Sequence, residues 1–365
     1  MKKLFIAATK QNDGKTTVAL GLIFSLMQRV QRIAFIKPIG QRYLEEDGEK
    51  VDEDSILIEH SLETLGIKCV LKDMSPIAVE RGFTEEYILN PDKEKITGQI
   101  KRSFSRIAKD KDLVVIEGTG HAAVGSVFDH SNATVAKFLD SKVILISSGG
   151  IGRPIDEIVL NKSLFEKEGV ELLGVIINKV LPQKFSKVNR LIRRGLSRKG
   201  VEVLGVIPYL DLLSYPLIGQ IIEETDYKLL SGEEGLNNVV RKIVVGAMQP
   251  HNALNYLVDG ALLITPGDRE DMILASIGNC FSKSLKEIHL SGIVLTGNII
   301  PHKRVMELLE NIKIPVILAE SDTYTVASCI HDLMVKIRPQ DKEKIEAIKK
   351  LVKENVDIDK ILDSL

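Results

Sequence analysis

Gly14-Lys15-Thr16 follows the apolar run Leu4-Phe5-Ile6-Ala7 and a short polar loop, and it leads directly into the helical pattern Val18 to Met27. Strand, loop and helix start in this order form a cradle for phosphate, because loop N–H groups and the positive end of the helix dipole face one point. Lys15 adds a charge beside the phosphates, and the Thr16 hydroxyl suits a Mg²⁺ ion. Thr9, Asn12, Asp13, Gly14, Lys15, Thr16 and Thr17 are therefore the candidate nucleotide contacts. Thr9 stands where G-x-x-x-x-G-K-[ST] has its first glycine.

Glu117 is the second chemical signal. It ends the run Leu113-Val114-Val115-Ile116 and opens the loop Gly118-Thr119-Gly120. A carboxylate there can orient Mg²⁺ opposite the phosphates, and small residues beside it let a ligand approach the backbone. Lys37 closes another apolar run in Lys37-Pro38-Ile39-Gly40-Gln41; it reads either as a ligand contact or as a surface lysine. Val51-Asp52-Glu53-Asp54-Ser55 opens a helix, where acids ordinarily complement the dipole.

These residues need a parallel sheet to bring them to one edge. Over the first 210 or so residues, short apolar runs alternate with amphipathic stretches, the βα signature of a sheet covered on both faces. The expected strands are 3–8, 32–37, 113–117, 142–147, 172–178 and 201–208. Ligands of such sheets sit beyond the carboxyl ends of the strands, where the candidate residues fall. The expected fold class is α/β: a P-loop NTPase-type parallel-sheet domain over residues 1–215, then a second, smaller α/β domain over 216–340, then a terminal helix over 341–365.

The 365 residues suffice for two cores. With 44% hydrophobic and 27% charged residues and a formal net charge of -1, the composition is that of an ordinary globular protein and argues against a general nucleic-acid binder. Cys69, Cys280 and Cys329 show no C-x-x-C spacing, so neither a zinc site nor a disulfide framework is expected. The start Met1-Lys2-Lys3 leads straight into a strand; no signal peptide and no membrane span is read, and a cytoplasmic location is expected. None of the seven histidines forms an i,i+4 metal pair.

Asp211, Tyr215-Pro216 and Ser231-Gly232-Glu233-Glu234-Gly235 mark a boundary. Beyond it, strands are expected at 242–247, 261–265, 292–296 and 315–319. Their ends carry Thr265-Pro266-Gly267-Asp268-Arg269, Thr296-Gly297-Asn298 and Glu320-Ser321-Asp322-Thr323. Asp268, Arg269, Asn298 and Asp322 read equally as an anion-binding effector site and as helix caps.

The stretches Ala8-Thr9…Gly14-Lys15-Thr16, Lys37-Pro38, Asp54, Glu117-Gly118-Thr119-Gly120, Gly174-Val175-Ile176-Ile177-Asn178 and Leu204-Gly205-Val206-Ile207-Pro208 resemble the dethiobiotin synthetase branch of P-loop proteins, which includes cobyrinic acid a,c-diamide synthases. Met248-Gln249-Pro250-His251 together with Leu262 to Arg269 resembles the DRTGG domain. The two in this order are similar to the N-terminal region of long phosphotransacetylases, which is distinct from their acetyl-transferring domain. No residues remain for that domain, so the chain by itself is not expected to be a phosphate acetyltransferase.

The resemblance implies ATP and Mg²⁺ as cofactors, with Thr16, Asp54 and Glu117 around the metal. Lys15, Lys37 and Glu117 would be catalytic, Asn178 would hydrogen-bond adenine, and Pro208 would lie at the nucleotide. It implies a homodimer and a small acidic or anionic ligand. Lys10 occupies the place of a lysine that reaches across dimers in partition ATPases, but it lacks the paired glycines and is read as a loop lysine. Ser147 to Pro154 reads as a substrate loop or a connection. Two functions remain open. One is a Mg-ATP-binding protein with a nucleotide-responsive regulatory role through the DRTGG-like domain. The other is an ATP-dependent carboxylate-activating ligase, whose substrate pocket is put in doubt by Ile39-Gly40-Gln41 after Lys-Pro.

Overall fold

The computed structural model describes residues 1–46, 48–280, 288–333 and 335–365, with Asn279 and Cys280 described in backbone only. Cys69 and Cys329 are free; the side chain of Cys280 lies outside the described residues. The chain divides into two compact units, Met1–Leu210 with Ile337–Leu365, and Asp211–Lys336.

The first unit is built on six strands: β1 (Lys2–Ala8), β2 (Ile33–Ile36), β3 (Leu113–Glu117), β4 (Lys142–Ser148), β5 (Leu172–Val180) and β6 (Val203–Pro208). All pair in parallel, in the order β6-β5-β4-β1-β3-β2. Their continuous apolar runs are buried, as parallel strands covered by helices on both faces require. Strand β1 lies between β3 and β4, so the chain steps to one side of β1 for β2 and β3 and to the other for β4 to β6. That reversal opens a crevice at the carboxyl end of β1, between the loops that follow β3 and β4.

Helix α1 (Lys15–Leu26) follows β1 and buries Val18, Ala19, Leu20, Leu22, Ile23 and Leu26. A helix this apolar around its circumference needs cover on more than its sheet side. The cover is the helix Lys342–Asn355, which buries Ile345, Ile348 and Val352; the expected single helix over 341–365 is broken at Val356, and a second helix, Ile358–Ser364, follows. Two glycines admit it: a Cβ on Gly21 would stand 2.3 Å from Val352 Cγ2, and one on Gly205 of β6 would stand 2.7 Å from the Asn355 carbonyl. The segment 341–365, set apart by its charge pattern in the sequence, thus belongs to the first unit.

The second unit carries β7 (Lys228–Ser231), β8 (Lys242–Val245), β9 (Ala261–Pro266), β10 (Leu290–Thr296) and β11 (Val316–Leu318), in the order β7-β11-β10-β9-β8. Four strands are parallel, and β7 joins the β11 edge antiparallel. Apolar clusters cover both faces, around Leu263 and Ile293 on one and Leu262 and Ile317 on the other. Strand β7 falls in the stretch read as a boundary; it is half-buried, and its partner strand lies far downstream. The hairpin Tyr43–Glu46 with Glu49–Asp52 was likewise not expected. Among the described residues, no helix is long and apolar enough to cross a membrane.

Candidate nucleotide site

The loop between β1 and α1 is held from inside. Asn12 has φ 64° and Gly14 φ 87°, both left-handed, and Gly14 caps α1 with no side-chain hydrogen bond, leaving the first-turn N–H groups facing the crevice. Asp13 is fully buried. It accepts from the Thr9 hydroxyl at 2.7 Å and the Lys10 N–H at 3.1 Å, and from the Ser148 hydroxyl at the end of β4. Thr9 also reaches Ser147 Oγ at 3.1 Å. The residue in the first-glycine position therefore pins the loop to β4, and the start of the Ser147–Pro154 stretch is part of that anchorage. Lys10 lies 4.0 Å from Glu157 Oε2.

Asn178 approaches from β5. Its amide donates to the Asp13 carbonyl at 2.9 Å and accepts from the Lys179 N–H at 2.9 Å, while the Lys179 ammonium bonds the Asn12 carbonyl at 2.7 Å. Asn178 thus ties the β1–α1 loop to the end of β5. A Cβ on Gly14 would stand 2.3 Å from Asn178 Nδ2, so glycine is required both by the backbone angle and by this close approach. Pro208 ends β6 in register with Val180, two residues past Asn178. Thr17 lies in the first turn of α1, half-buried.

Behind the loop sits a buried charge cluster. The Thr16 hydroxyl donates to Glu117 Oε1 at 2.9 Å, and Glu117 Oε2 has no hydrogen-bond partner among the described residues. Burial pushes the Glu117 carboxyl up to about 7, with the Asp54 charge adding to the rise and Lys37 and Lys15 opposing it. Burial likewise lowers the Lys15 ammonium below its ordinary value, against the pull of Glu117. Lys37 donates to Asp52 Oδ1 at 2.7 Å and to Asp54 Oδ2. Burial works against its charge, but Asp54, Asp52 and Glu117 together outweigh it and hold the ammonium well above its ordinary value. Burial also raises the Asp52 carboxyl, with Lys37 opposing.

Lys15, Thr16, Lys37, Asp54 and Glu117 thus come together as the sequence reading required, and Asp52 joins them unannounced. It caps helix α2 (Glu53–Glu63) by accepting from the Asp54 N–H at 3.0 Å, and its sequence position signalled only that. Among the described residues no three carboxylate, histidine or cysteine side chains form a metal cage. A magnesium ion, which keeps few protein ligands and takes oxygens from phosphates, needs no such cage. The Thr16 hydroxyl and the orphaned Glu117 Oε2 fit it. Asp54 fits by type and is engaged by Lys37.

Three of the four second-unit candidates have structural work. The Arg269 guanidinium is paired with Asp271 at 2.9 and 3.0 Å and bonds the carbonyls of Gly246 and Met248. Asp322 caps the helix Thr323–His331, accepting from the Tyr324 and Thr325 N–H groups. Asn298 turns the chain at φ 54°, its N–H bonded to the Ala319 carbonyl. Asp268 is exposed before the helix Glu270–Cys280.

The phosphate acetyltransferase of Synechocystis sp. is 27% identical over 371 residues, covering 99% of this chain and 51% of its own length. That of Pseudomonas aeruginosa is 27% identical over 376 residues, covering 98% and 51%. The chain spans about half the length of the curated relatives it matches. Among solved structures, the CBS and DRTGG domains of the regulatory region of Clostridium perfringens pyrophosphatase, complexed with the activator diadenosine tetraphosphate, are 23% identical with a TM-score of 0.27, covering 38% of this chain and 60% of that one. A DRTGG domain model matches residues 220–333. The AAA domain model matches residues 2–216, more than half of the chain, and it is to this family that the chain belongs.

Proposed function

We propose that the chain binds Mg-ATP at the β1–α1 loop and acts as a nucleotide-responsive regulatory protein through its DRTGG domain. The observation that carries this reading is the α1 N-terminus. Among the described residues it is uncapped by any side chain, has half-buried Lys15 in its first turn, and lies beside a carboxylate with one buried oxygen that has no hydrogen-bond partner. Backbone N–H groups and Lys15 would bind the phosphates, while Thr16 and Glu117 would hold the metal, which neutralises phosphate charge when bound. Asp13 and Asn178 keep the loop in the conformation that aims those N–H groups. The carboxylate-activating alternative has less support, because Ile39-Gly40-Gln41 follows Lys37-Pro38 where its substrate pocket would be set. For the second unit, the pairing of Arg269 with Asp271 supports a docking or signalling role over direct capture of an anion.

Calorimetric titration with Mg-ATP tests the reading. Wild type is expected to bind and Lys15→Ala to lose binding. Equal affinity in the two would remove the phosphate-loop assignment.

A further inference from the structure

We propose that Lys37 and the divalent cation share Asp54 by exchange: Lys37 neutralises Asp54 in the nucleotide-free protein and gives it up when Mg-nucleotide enters, remaining tethered by Asp52. The inference rests on the nucleotide reading above. Its geometry lies in the unequal exposure and anchorage of the two acids. The Asp52 side chain is 2% exposed, whereas that of Asp54 is 20% exposed. Asp52 is also fixed from several directions. It caps α2, its N–H donates to Ser75 Oγ at 3.0 Å, and a Cβ on Gly40 would stand only 2.6 Å from its Cβ. Asp54 sits on the first turn of α2, on the cluster's open side.

The charges make the exchange necessary. Lys15 and Lys37 already face Asp52, Asp54 and Glu117, so a divalent cation entering beside Thr16 and Glu117 meets a cluster largely neutralised from within. Coulomb attraction to a double charge in a poorly solvated site exceeds that to one ammonium, so Asp54 is drawn from Lys37. An ammonium has three donors. Held by Asp52 through one of them, Lys37 then turns the others toward an anion over the phosphate loop. Lys37 thus becomes an anion contact only once the metal is in place, and Asp52 is its positioning residue.

The experiment measures ATP affinity by calorimetry with Mg²⁺ and with EDTA, and takes the ratio as the metal enhancement. Asp54→Asn leaves Lys37 attached to Asp52 and less neutralised, so affinity in EDTA is expected to rise several-fold while the enhancement shrinks. In the double variant Asp54→Asn with Lys37→Met the gain in EDTA is expected to vanish, because the released ammonium carries it. Equal or weaker ATP binding by Asp54→Asn in EDTA, or a gain that persists in the double variant, overturns the exchange. Should the double variant fail to fold, Asp54→Asn decides: tighter ATP binding in EDTA supports the exchange, and equal or weaker binding overturns it. If wild type binds no ATP under either condition, the nucleotide reading itself falls. If ATP binds, and Lys15→Ala abolishes it, while Asp54→Asn shows no gain in EDTA, only the exchange falls.

Discussion

Gly14→Ala is the sharpest test of how the phosphate loop is held. The added Cβ would stand 2.3 Å from Asn178 Nδ2 and 3.6 Å from its Cγ, on a backbone with φ 87°. Holding an alanine in the left-handed region costs about 1–2 kcal/mol. The collision is relieved only if Asn178 turns away, which leaves the Asp13 carbonyl without its 2.9 Å donor. An unsatisfied buried carbonyl costs about 1–3 kcal/mol. Together the two terms place roughly 2–5 kcal/mol on the ordered loop. Since every 1.4 kcal/mol is a factor of ten, Mg-ATP affinity should fall by about 30-fold to several thousand-fold when binding must restore that loop. Isothermal titration calorimetry reads this directly. Asn178→Ala serves as the partner in a double-mutant cycle. In that background the collision and the lost bond are already absent, so Gly14→Ala should cost only the backbone term, about 1–2 kcal/mol. Near-wild-type affinity in Gly14→Ala, or an equal cost in both backgrounds, would refute the clamp.

Three further outcomes follow from the same structure. Glu117→Gln keeps the hydrogen bond from Thr16 but removes charge at the metal position; it should spare ATP binding and cut any ATP hydrolysis about a hundredfold, and equal turnover would mark Glu117 as a buried acid satisfied in place. His130 is buried, with its ring nitrogens 2.6 Å from the Phe128 carbonyl and 2.8 Å from Thr97 Oγ1, and burial lowers it below 6.5. Its folded value lies below its unfolded one, so its contribution is full above about pH 6.5 and is lost as pH falls below that; thermal melts should show a loss on acidification that shrinks in His130→Gln. A homodimer is expected, an isologous two-fold contact being the commonest symmetric assembly; a monomeric mass in light scattering at micromolar concentration, with and without Mg-ATP, would exclude it.

What the sequence alone determined is the part of this protein governed by local chemistry. Short apolar runs that alternate with amphipathic stretches read as strands buried on both faces, so all six strands of the first sheet were legible, although β5 continues to Val180 and β6 starts at Val203. Gly14-Lys15-Thr16 was legible because a left-handed glycine before an uncapped helix start is a local requirement of backbone geometry. Elements whose stabilisation comes from distant residues were not legible. Strand β7 is short and half-buried and gains its place only by pairing with β11. Asp52 reads as one more acid at a helix start until Lys37, fifteen positions earlier, is seen bonded to it. Arg269 reads equally as an anion ligand and as part of a helix cap until the distant carbonyls of Gly246 and Met248 are seen to hold it beside Asp271. The terminal helix reads as an accessory until Gly21 and Gly205 are found to leave room for it. Which polar groups satisfy one another inside a fold depends on distances in space, and those are decided only when the sheets have closed and water has been excluded.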